Sequence, residues 1–327
     1  MLKARPVWEE LPINFKRDMV DQLDFKSRCR LKTCSTSDNE IVSSRPCRLD
    51  LLTICPPNEI KLCGVRYKCT GIEELAQMII TIFEHPKSFV QTVEFNFDRR
   101  NEPENVEFFL DSFVHRLKLY FEHNPSSKLR AAQFRYEEYY RRFLEGRFLD
   151  VLKLFDPQVL NSISLTSNPS YSFLEQIFTT EQWRNAREFR SCGDYDYEFP
   201  MDYYKHFNRL NAPTSKRLSG DQCWTIIESF ISRNAPKDSA FLFSTQQPLS
   251  LQDIFSKFSV PAKNEPTGAE VPLYTYVHTQ RFELADPKYI LMVKFGNQTM
   301  DGAVVRNDTW CEEADFRWSA FRSRIDW

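Results

Sequence analysis

Residues 160–168 read Leu-Asn-Ser-Ile-Ser-Leu-Thr-Ser-Asn, with apolar side chains at Leu160, Ile163 and Leu165 and an asparagine at Asn168. Successive side chains of a strand point to opposite faces, so Ile163 and Leu165 share one face of a short strand. The amide of the final asparagine can hydrogen-bond the backbone where the chain turns. This stretch therefore predicts a short strand that is apolar on one face and ends in a turn.

The same offsets of three, five and eight residues recur elsewhere in the chain. The matching sets are Val90-Val93-Phe95-Asp98, Leu129-Ala132-Phe134-Glu137 and Phe207-Leu210-Ala212-Ser215. Amphipathic periodicity predicts helices at 72–83, 106–121, 143–155, 172–177 and 221–231. Strands that alternate with helices in this way predict an irregular leucine-rich-repeat-like α/β domain. The four strand segments start 39, 31 and 47 residues apart, so an α/β domain with a mixed sheet is the alternative.

Two flanking regions complete the expected architecture. Residues 274–282 and 289–295 alternate well enough to form a pair of strands with a turn at 285–287. Residues 7–45 predict three short helices, with Pro12 at the start of the first, Asp24 capping the second and Ser35 or Ser37 starting the third. About forty residues cannot bury much apolar area, so these helices need a partner or the rest of the chain for stability.

Composition narrows the class of protein. The formal net charge of -2 gives no electrostatic reason to bind nucleic acid or an anionic membrane. No apolar run approaches the roughly 18–20 residues that span a bilayer, and the start of the chain does not resemble a secretory signal. Nine cysteines without a Cys-x-x-Cys pair do not suggest a disulfide framework. The sequence therefore predicts an intracellular chain, cytoplasmic or also nuclear, that binds no membrane and no nucleic acid.

The sequence contains none of the common catalytic motifs. Five histidines are scattered without the spacing of a zinc site, and no Walker loop, nucleophile elbow or Gly-x-Gly-x-x-Gly occurs. The chain has only 8 glycines, so phosphate-cradling loops are not expected. It has 28 phenylalanines, so cores built from aromatic rings are expected. We therefore expect no catalytic residue, no metal and no cofactor.

The N-terminal segment resembles an F-box. The residues that carry the resemblance are, in order, Leu11-Pro12, Met19-Val20, Leu23-Asp24 and Leu31-Lys-Thr-Cys-Ser35. Many F-boxes continue after this serine with a polar residue and tryptophan, whereas this chain has Thr36-Ser37-Asp38. That departure predicts a weakly supported third helix.

The remainder of the chain resembles the FTH domain that accompanies F-boxes in large nematode families. The resemblance is carried by residues 149–165, by Thr279-Gln-Arg-Phe282 and by the strand that starts at Tyr289. It implies a division into an F-box at 1–46, an FTH domain at 47–305 that recognises a target, and a C-terminal tail at 306–327. It also implies the function of a non-catalytic substrate-recognition subunit of an SCF-type E3 ubiquitin ligase, bound through a Skp adaptor to a cullin.

Candidate binding residues follow from this interpretation. The side chains expected at the adaptor are Leu11, Pro12, Met19, Val20, Leu31 and Ser35, whereas Phe15, Leu23 and Phe25 are assigned to the core of the small helical unit. The side chains expected at an unidentified target protein alternate with buried positions of the strands and are Glu94, Asn96, Gln133, Arg135, Ser164 and Thr166.

Two other classes of protein stay open. One is an interaction scaffold whose F-box-like helices pack on its own second domain and bind no adaptor. The other is an enzyme or nucleic-acid binder without a recognisable motif. Retention of the chain by an adaptor separates the first interpretation from the scaffold, and salt-sensitive retention on nucleic acid would favour the last.

Overall fold

The computed structural model describes residues 8–97, 103–124, 127–138, 145–166, 169–192, 200–214, 216–258 and 276–308. The chain forms two compact units, the first made of residues 1–140 and 146–160 and the second of residues 141–145 and 161–327. Both units are mixed α/β, with helices packed on a β-sheet.

The first unit begins with a short 3-10 turn at Trp8–Glu10. Its elements are then α1 (Ile13–Gln22), α2 (Phe25–Lys32), α3 (Thr36–Ser43), β1 (Arg48–Cys55), β2 (Glu59–Leu62), β3 (Val65–Lys68), α4 (Ile72–Phe83), β4 (Phe89–Phe97), α5 (Pro103–His123), β5 (Ala131–Glu138) and α6 (Glu145–Leu152). The described strands have the order β5-β4-β1-β2-β3. Strands β5, β4 and β1 are parallel, and β1, β2 and β3 are antiparallel.

Local sequence explains where the first helices begin. The Asp24 side chain accepts a hydrogen bond from the Ser27 backbone N–H at 2.7 Å and so caps α2. Ser35 Oγ accepts from the Asp38 N–H at 3.0 Å and caps α3. Helix α3 therefore forms without a tryptophan after Ser35, and the expectation of a weakly supported third helix was wrong.

The core of the first unit is built from aromatic rings, as the composition predicts. Phe134 of β5 packs on Phe155 with ring centroids 4.6 Å apart and on Phe148 of α6 at 5.4 Å. Phe97 of β4 meets Tyr136 of β5 at 5.0 Å. These rings occupy the face of the sheet that the helices cover, and they leave the other face of β4 and β5 to polar side chains.

The second unit has its own sheet and helices. Its elements are β6 (Ser162–Leu165), α7 (Tyr171–Phe178), α8 (Glu181–Asn185), β7 (Glu188–Ser191), a 3-10 turn (Met201–Tyr204), β8 (Arg209–Thr214), α9 (Gly220–Ser232), β9 (Ala240–Thr245), α10 (Leu251–Phe255), β10 (Tyr276–Glu283), β11 (Tyr289–Gly296) and β12 (Thr299–Arg306). Strands β6 to β9 are parallel neighbours in chain order. Strands β9, β12, β11 and β10 continue as antiparallel neighbours.

Most elements expected from periodicity are present. All four template segments coincide with strands, namely β4, β5, β6 and β8, and the five expected helices correspond to α4, α5, α6, α7 and α9. The expected strand pair near the end of the chain is β10 and β11. Asn168, Asp98 and Ser215 lie outside the described residues.

Strands β1, β2, β3, β9 and β12 were not predicted. The segments of β2 and β3 are only four residues long, which is too short for alternation to stand out from the surrounding sequence. Strand β12 contains a glycine and an aspartate, which are depleted in strands, yet Asp301 and Gly302 are buried there between β9 and β11.

Candidate functional site

The N-terminal helices α1, α2 and α3 enclose a small apolar core. Val20 of α1 packs with Ile41 and Val42 of α3, and Leu31 of α2 covers them. Val20 is fully buried, whereas Leu31 is partly buried. Because few side chains share this core, each one contributes a large fraction of what holds the three helices together.

One side of α1 carries apolar side chains that this core does not use. Phe15 and Met19 remain 50% and 41% exposed, and Pro12, which precedes the helix, is exposed too. Their spacing of three and four residues aligns them in one stripe along the helix. We call Pro12, Phe15 and Met19 the α1 apolar stripe. Ile13, 47% exposed, lies one residue after Pro12 and on the same side of the helix as Val20, seven residues later.

Two side chains of α1 have the opposite exposure to the one expected from the sequence. Phe15, assigned to the core by the sequence pattern, is half exposed, so that assignment was wrong. Val20, expected at the adaptor, is buried inside the helical core, so its side chain is not on a surface that a partner could contact. Phe25 is buried as expected, and Leu23 is half-buried.

The other expected adaptor residues have mixed positions. Leu11 and Leu31 are half-buried, whereas Pro12, Met19 and Ser35 are exposed. Ser35 is already engaged as the cap of α3, and its hydroxyl also donates to Asp38 Oδ2 at 2.8 Å. Its role in binding an adaptor stays a prediction, because its local hydrogen bonds already account for a serine at this position.

Asp38 links the start of the described chain to α3. Its carboxylate is buried and accepts a hydrogen bond from Trp8 Nε1 at 2.7 Å through Oδ1. Lys16 of α1 lies over the Trp8 ring, 5.7 Å from its centroid, and donates to the Glu9 carbonyl at 3.1 Å. The Trp8 ring therefore fixes the 3-10 turn against both α1 and α3, beside the stripe.

Charged groups lie on the side of α1 away from the stripe. Asp21 forms an ion pair with Arg45 and lies 3.7 Å from Arg28. The hydrogen bond from Arg45 holds the pKa of the Asp21 carboxyl below its usual range, more than burial raises it. These paired charges therefore occupy the side of α1 opposite the stripe, and the stripe remains the apolar side of the helix.

The polar face of β4 and β5 brings four of the expected target-binding residues together. Glu94 and Asn96 lie on β4, next to Gln133 and Arg135 on the neighbouring strand β5. An Arg135 guanidinium nitrogen is 4.0 Å from Glu94 Oε2, and Asn96 Nδ2 donates to Glu94 Oε1 at 3.3 Å. These side chains are half-buried, because neighbours on the same face cover part of each.

Two further polar contacts order this face. Thr92 Oγ1 donates to Gln133 Oε1 at 3.2 Å, and Asn96 Nδ2 also donates to Glu137 Oε2 at 3.2 Å. A row of cross-strand contacts of this kind fixes side-chain positions before any partner arrives, which lowers the entropy lost on binding. The expected residues Ser164 and Thr166 lie at β6 in the second unit and are half-buried there.

A metal site and a thiol nucleophile each place requirements on the described residues. No group of three or more His, Cys, Asp or Glu side chains in them could hold a metal ion. Burial raises the pKa of the Cys47 thiol to about 11 and that of Cys223 to about 12, so neither is a ready nucleophile near neutral pH. Among the described helices, none is both long enough and apolar enough to cross a membrane.

The sequence contained a signal for Phe15 that the residue-by-residue assignment missed. Pro12, Phe15 and Met19 follow one another at helical spacing, while Val20 falls about 100° round the helix from Met19. Two apolar faces on one short helix indicate one face for the chain's own core and one for something else. Which face the core uses could not be read from α1 alone, because α2 and α3 decide it.

Comparisons with known proteins identify part of the chain. Residues 131–258 match the family model described as the FTH domain. This domain family is associated with F-boxes. The match covers β5 through the end of α10 and therefore includes parts of both units. No curated protein and no solved structure matches the chain.

Proposed function

We propose that the chain is a substrate-recognition subunit of an SCF-type E3 ubiquitin ligase. In this proposal the N-terminal helices are an F-box that binds a Skp adaptor, and through it a cullin. The remainder of the chain, with an FTH domain wider than the matched residues, selects the protein to be ubiquitinated. The chain itself then supplies binding and no catalysis, and it works in the cytoplasm or the nucleus.

The observation that carries this proposal is the α1 apolar stripe. Phe15 and Met19 are about half exposed on α1, and the apolar core shared by α1, α2 and α3 contains only a few side chains. Large apolar side chains that are exposed together indicate a binding site more often than chance exposure does. An aromatic ring and a methionine exposed on one side of a helix match the composition of the apolar centre of an interface.

The matched FTH domain supports the proposal independently of α1. A family that is associated with F-boxes, found downstream of helices that resemble one, fits a receptor with separate adaptor and target surfaces. The parallel strands in chain order within each unit also fit a leucine-rich-repeat-like domain nested in the FTH region. Such domains present the strand face that their helices leave open, here with Glu94, Asn96, Gln133 and Arg135.

A scaffold without adaptor binding is the second candidate, and one observation favours it. The N-terminal helices pack on the rest of the first unit, where Lys32 Nζ lies 2.7 Å from Glu84 Oε2 at the end of α4 and Arg28 donates to the Pro46 carbonyl at 3.0 Å. These contacts give the helices a structural role within the chain. They leave the α1 apolar stripe exposed, however, and the scaffold proposal assigns no partner to it.

Retention of the full chain on a purified Skp adaptor tests the proposal. Wild type should bind, and the double substitution Phe15→Ala with Met19→Ala should weaken binding by at least about a hundredfold, since hot-spot truncations cost about 2 kcal/mol or more each. Leu11→Ala with Pro12→Ala should show a similar loss if the stripe extends to the 3-10 turn. The measurement is the equilibrium dissociation constant by surface plasmon resonance.

A matched control variant lies on the strand face. Gln133→Ala with Arg135→Ala should leave the adaptor affinity unchanged while reducing the capture of target protein. Circular dichroism should show the same helix content for all variants, because the substituted side chains are exposed or half-buried. Failure of wild type to bind the adaptor would remove the ligase proposal and leave the scaffold.

A further inference from the structure

Strand β3 is the outermost of the described strands in the first unit, and its hairpin geometry is well defined. It pairs with β2 alone, and the two are joined by Cys63 and Gly64, both with positive φ, 47° and 84°. A two-residue turn with positive φ at both positions is a type I′ turn, which matches the twist of an antiparallel pair. Leu62 and Val65, which flank it, are therefore a hydrogen-bonded pair.

This turn determines which backbone groups of β3 face outward. Hydrogen-bonded pairs alternate along an antiparallel ladder, so Ile60 and Tyr67 also form one. The Cys69 N–H donates to the Asn58 carbonyl at 2.7 Å, which confirms the same alternation one step further. The N–H and C=O groups of Arg66 and Lys68 therefore point away from β2. No hydrogen bond joins them to another described backbone group.

A cleft lies along the side of this strand. Val65 is 56% exposed and Tyr67 is half-buried, and both face a cleft of about 620 Å³ between the hairpin and the N-terminal helices. Its apolar lining is completed by Leu23, Phe25, Leu49 and Leu62. A strand added beside β3 would place every second side chain over this apolar surface.

The charges around the cleft and the strand are mainly basic. Among the described residues, Lys26 and Arg48 at the cleft and Lys68 on β3 have no acidic side chain within ion-pair distance, and Arg66 is paired with Glu59 at 3.1 Å. The two acidic residues of the cleft are already engaged, Asp21 with Arg45 and Asp24 as the cap of α2. The surface left for a partner is therefore positively charged.

We propose that β3 binds an extended, acidic segment of another protein as an additional strand of the sheet. The outward groups of Arg66 and Lys68 hydrogen-bond its backbone, and its side chains alternate between the two faces of the sheet. Apolar side chains on one face enter the cleft, and carboxylates on the other face meet the side chains of Arg66 and Lys68. A second copy of β3 is a poor occupant, since its own Arg66 and Lys68 would be brought beside like charges. This site lies apart from the α1 apolar stripe, and its test does not involve the adaptor.

Fluorescence anisotropy with the full chain and a short labelled peptide of alternating valine and glutamate tests the proposal. Wild type should bind this peptide, more weakly as salt is added, and should not bind the same peptide with lysine in place of glutamate. Arg66→Pro removes an outward N–H without removing a ladder hydrogen bond, and should weaken binding by about tenfold. Arg66→Gln keeps the N–H and should weaken binding by only about twofold.

Further measurements separate this site from its alternatives. Lys68→Glu should abolish selectivity for the acidic peptide, because Lys68 lies on the face of the sheet that the glutamates occupy. If Arg66→Pro disturbs the hairpin, two N-methylated peptides replace it as a test, one methylated at the odd-numbered amides and one at the even-numbered amides. Methylation removes backbone hydrogen bonds of the peptide without changing the protein. Only the peptide whose methylated amides face β3 should lose binding. Equal binding of both peptides, or no effect of Arg66→Pro and of either methylation, would overturn the proposal. Dimerisation through β3, detected by sedimentation and abolished by Arg66→Pro, would assign the edge to a second copy instead.

Discussion

Helices α1 and α4 belong to the same unit and both are amphipathic, yet they use their apolar side chains differently. Helix α4 buries Leu75, Ile79 and Ile82 almost completely. Helix α1 buries Val20 and leaves Ile13, Phe15 and Met19 between 41% and 50% exposed. An amphipathic pattern thus indicates that a helix has an apolar face, but it does not indicate what covers that face.

The difference has a topological cause. Helix α4 connects β3 to β4, two strands of one sheet, so the chain must return across that sheet and the helix packs on it. Helix α1 has no strand before it among the described residues and packs on α3. Helix α1, which is held by its small helical neighbours, keeps apolar side chains exposed, whereas α4 returns across the sheet and buries its apolar face on it.

The largest expected effect compares two isoleucines. Ile79→Ala in α4 should lower the free energy of unfolding by about 2–5 kcal/mol, because it removes a fully buried side chain from a packed interface. Ile13→Ala in α1 should change it by no more than about 0.5 kcal/mol. Denaturant unfolding followed by circular dichroism measures both. Equal losses would mean that the face of α1 is packed in the free protein and would break the comparison.

Val20→Ala should have a smaller and local effect. It should cost about 2 kcal/mol by removing a central side chain of the small helical core. Amide hydrogen exchange should show faster opening of α1, α2 and α3 with little change in the aromatic core around Phe134. Adaptor binding should fall with the population of folded helices. A loss of binding with unchanged exchange would show that Val20 touches the adaptor directly.

Ser35→Ala should have a smaller effect on stability than Ile79→Ala or Val20→Ala. Removal of the cap of α3 should cost about 1 kcal/mol. Ser35→Asp keeps an acceptor at this position and should restore most of the stability, although it places a carboxylate near Asp38. Thermal unfolding measures both variants. If Ser35→Asp regains stability while adaptor binding stays weak, Ser35 has a contact role in addition to its capping role.

Local sequence was sufficient for many elements of this protein. The spacing of Leu160, Ile163 and Leu165 predicted β6, and related spacings predicted β4, β5 and β8. Alternation and helical periodicity are set by the backbone geometry of each segment, so a single segment displays them. Asp24 was recognised as a cap for the same reason, since a cap bonds a backbone group within three residues, and Ser35 was one of two serines expected to start α3.

Pairing between strands that are distant in the sequence determined features of the fold that local patterns could not predict. Strands β2 and β3 alternate polar and apolar side chains over only four residues each, which is too short to be recognised alone, and pairing with β1 and a two-residue turn aligns them. The grouping of Glu94 with Arg135 depends on the register between β4 and β5, which are separated by the whole of α5. Their expected role in target binding stays a prediction, but their adjacency is now established.

The amino-acid sequence by itself determined that the chain starts with short helices carrying surplus apolar side chains and continues as alternating helices and strands. Only the tertiary structure decided that Val20 faces the core while Phe15 and Met19 face solvent, and that the backbone of Arg66 and Lys68 lies at the outer edge of the described strands of the first unit. The physical reason is that burial is a property of what surrounds a side chain, and most of those neighbours are far away in the sequence.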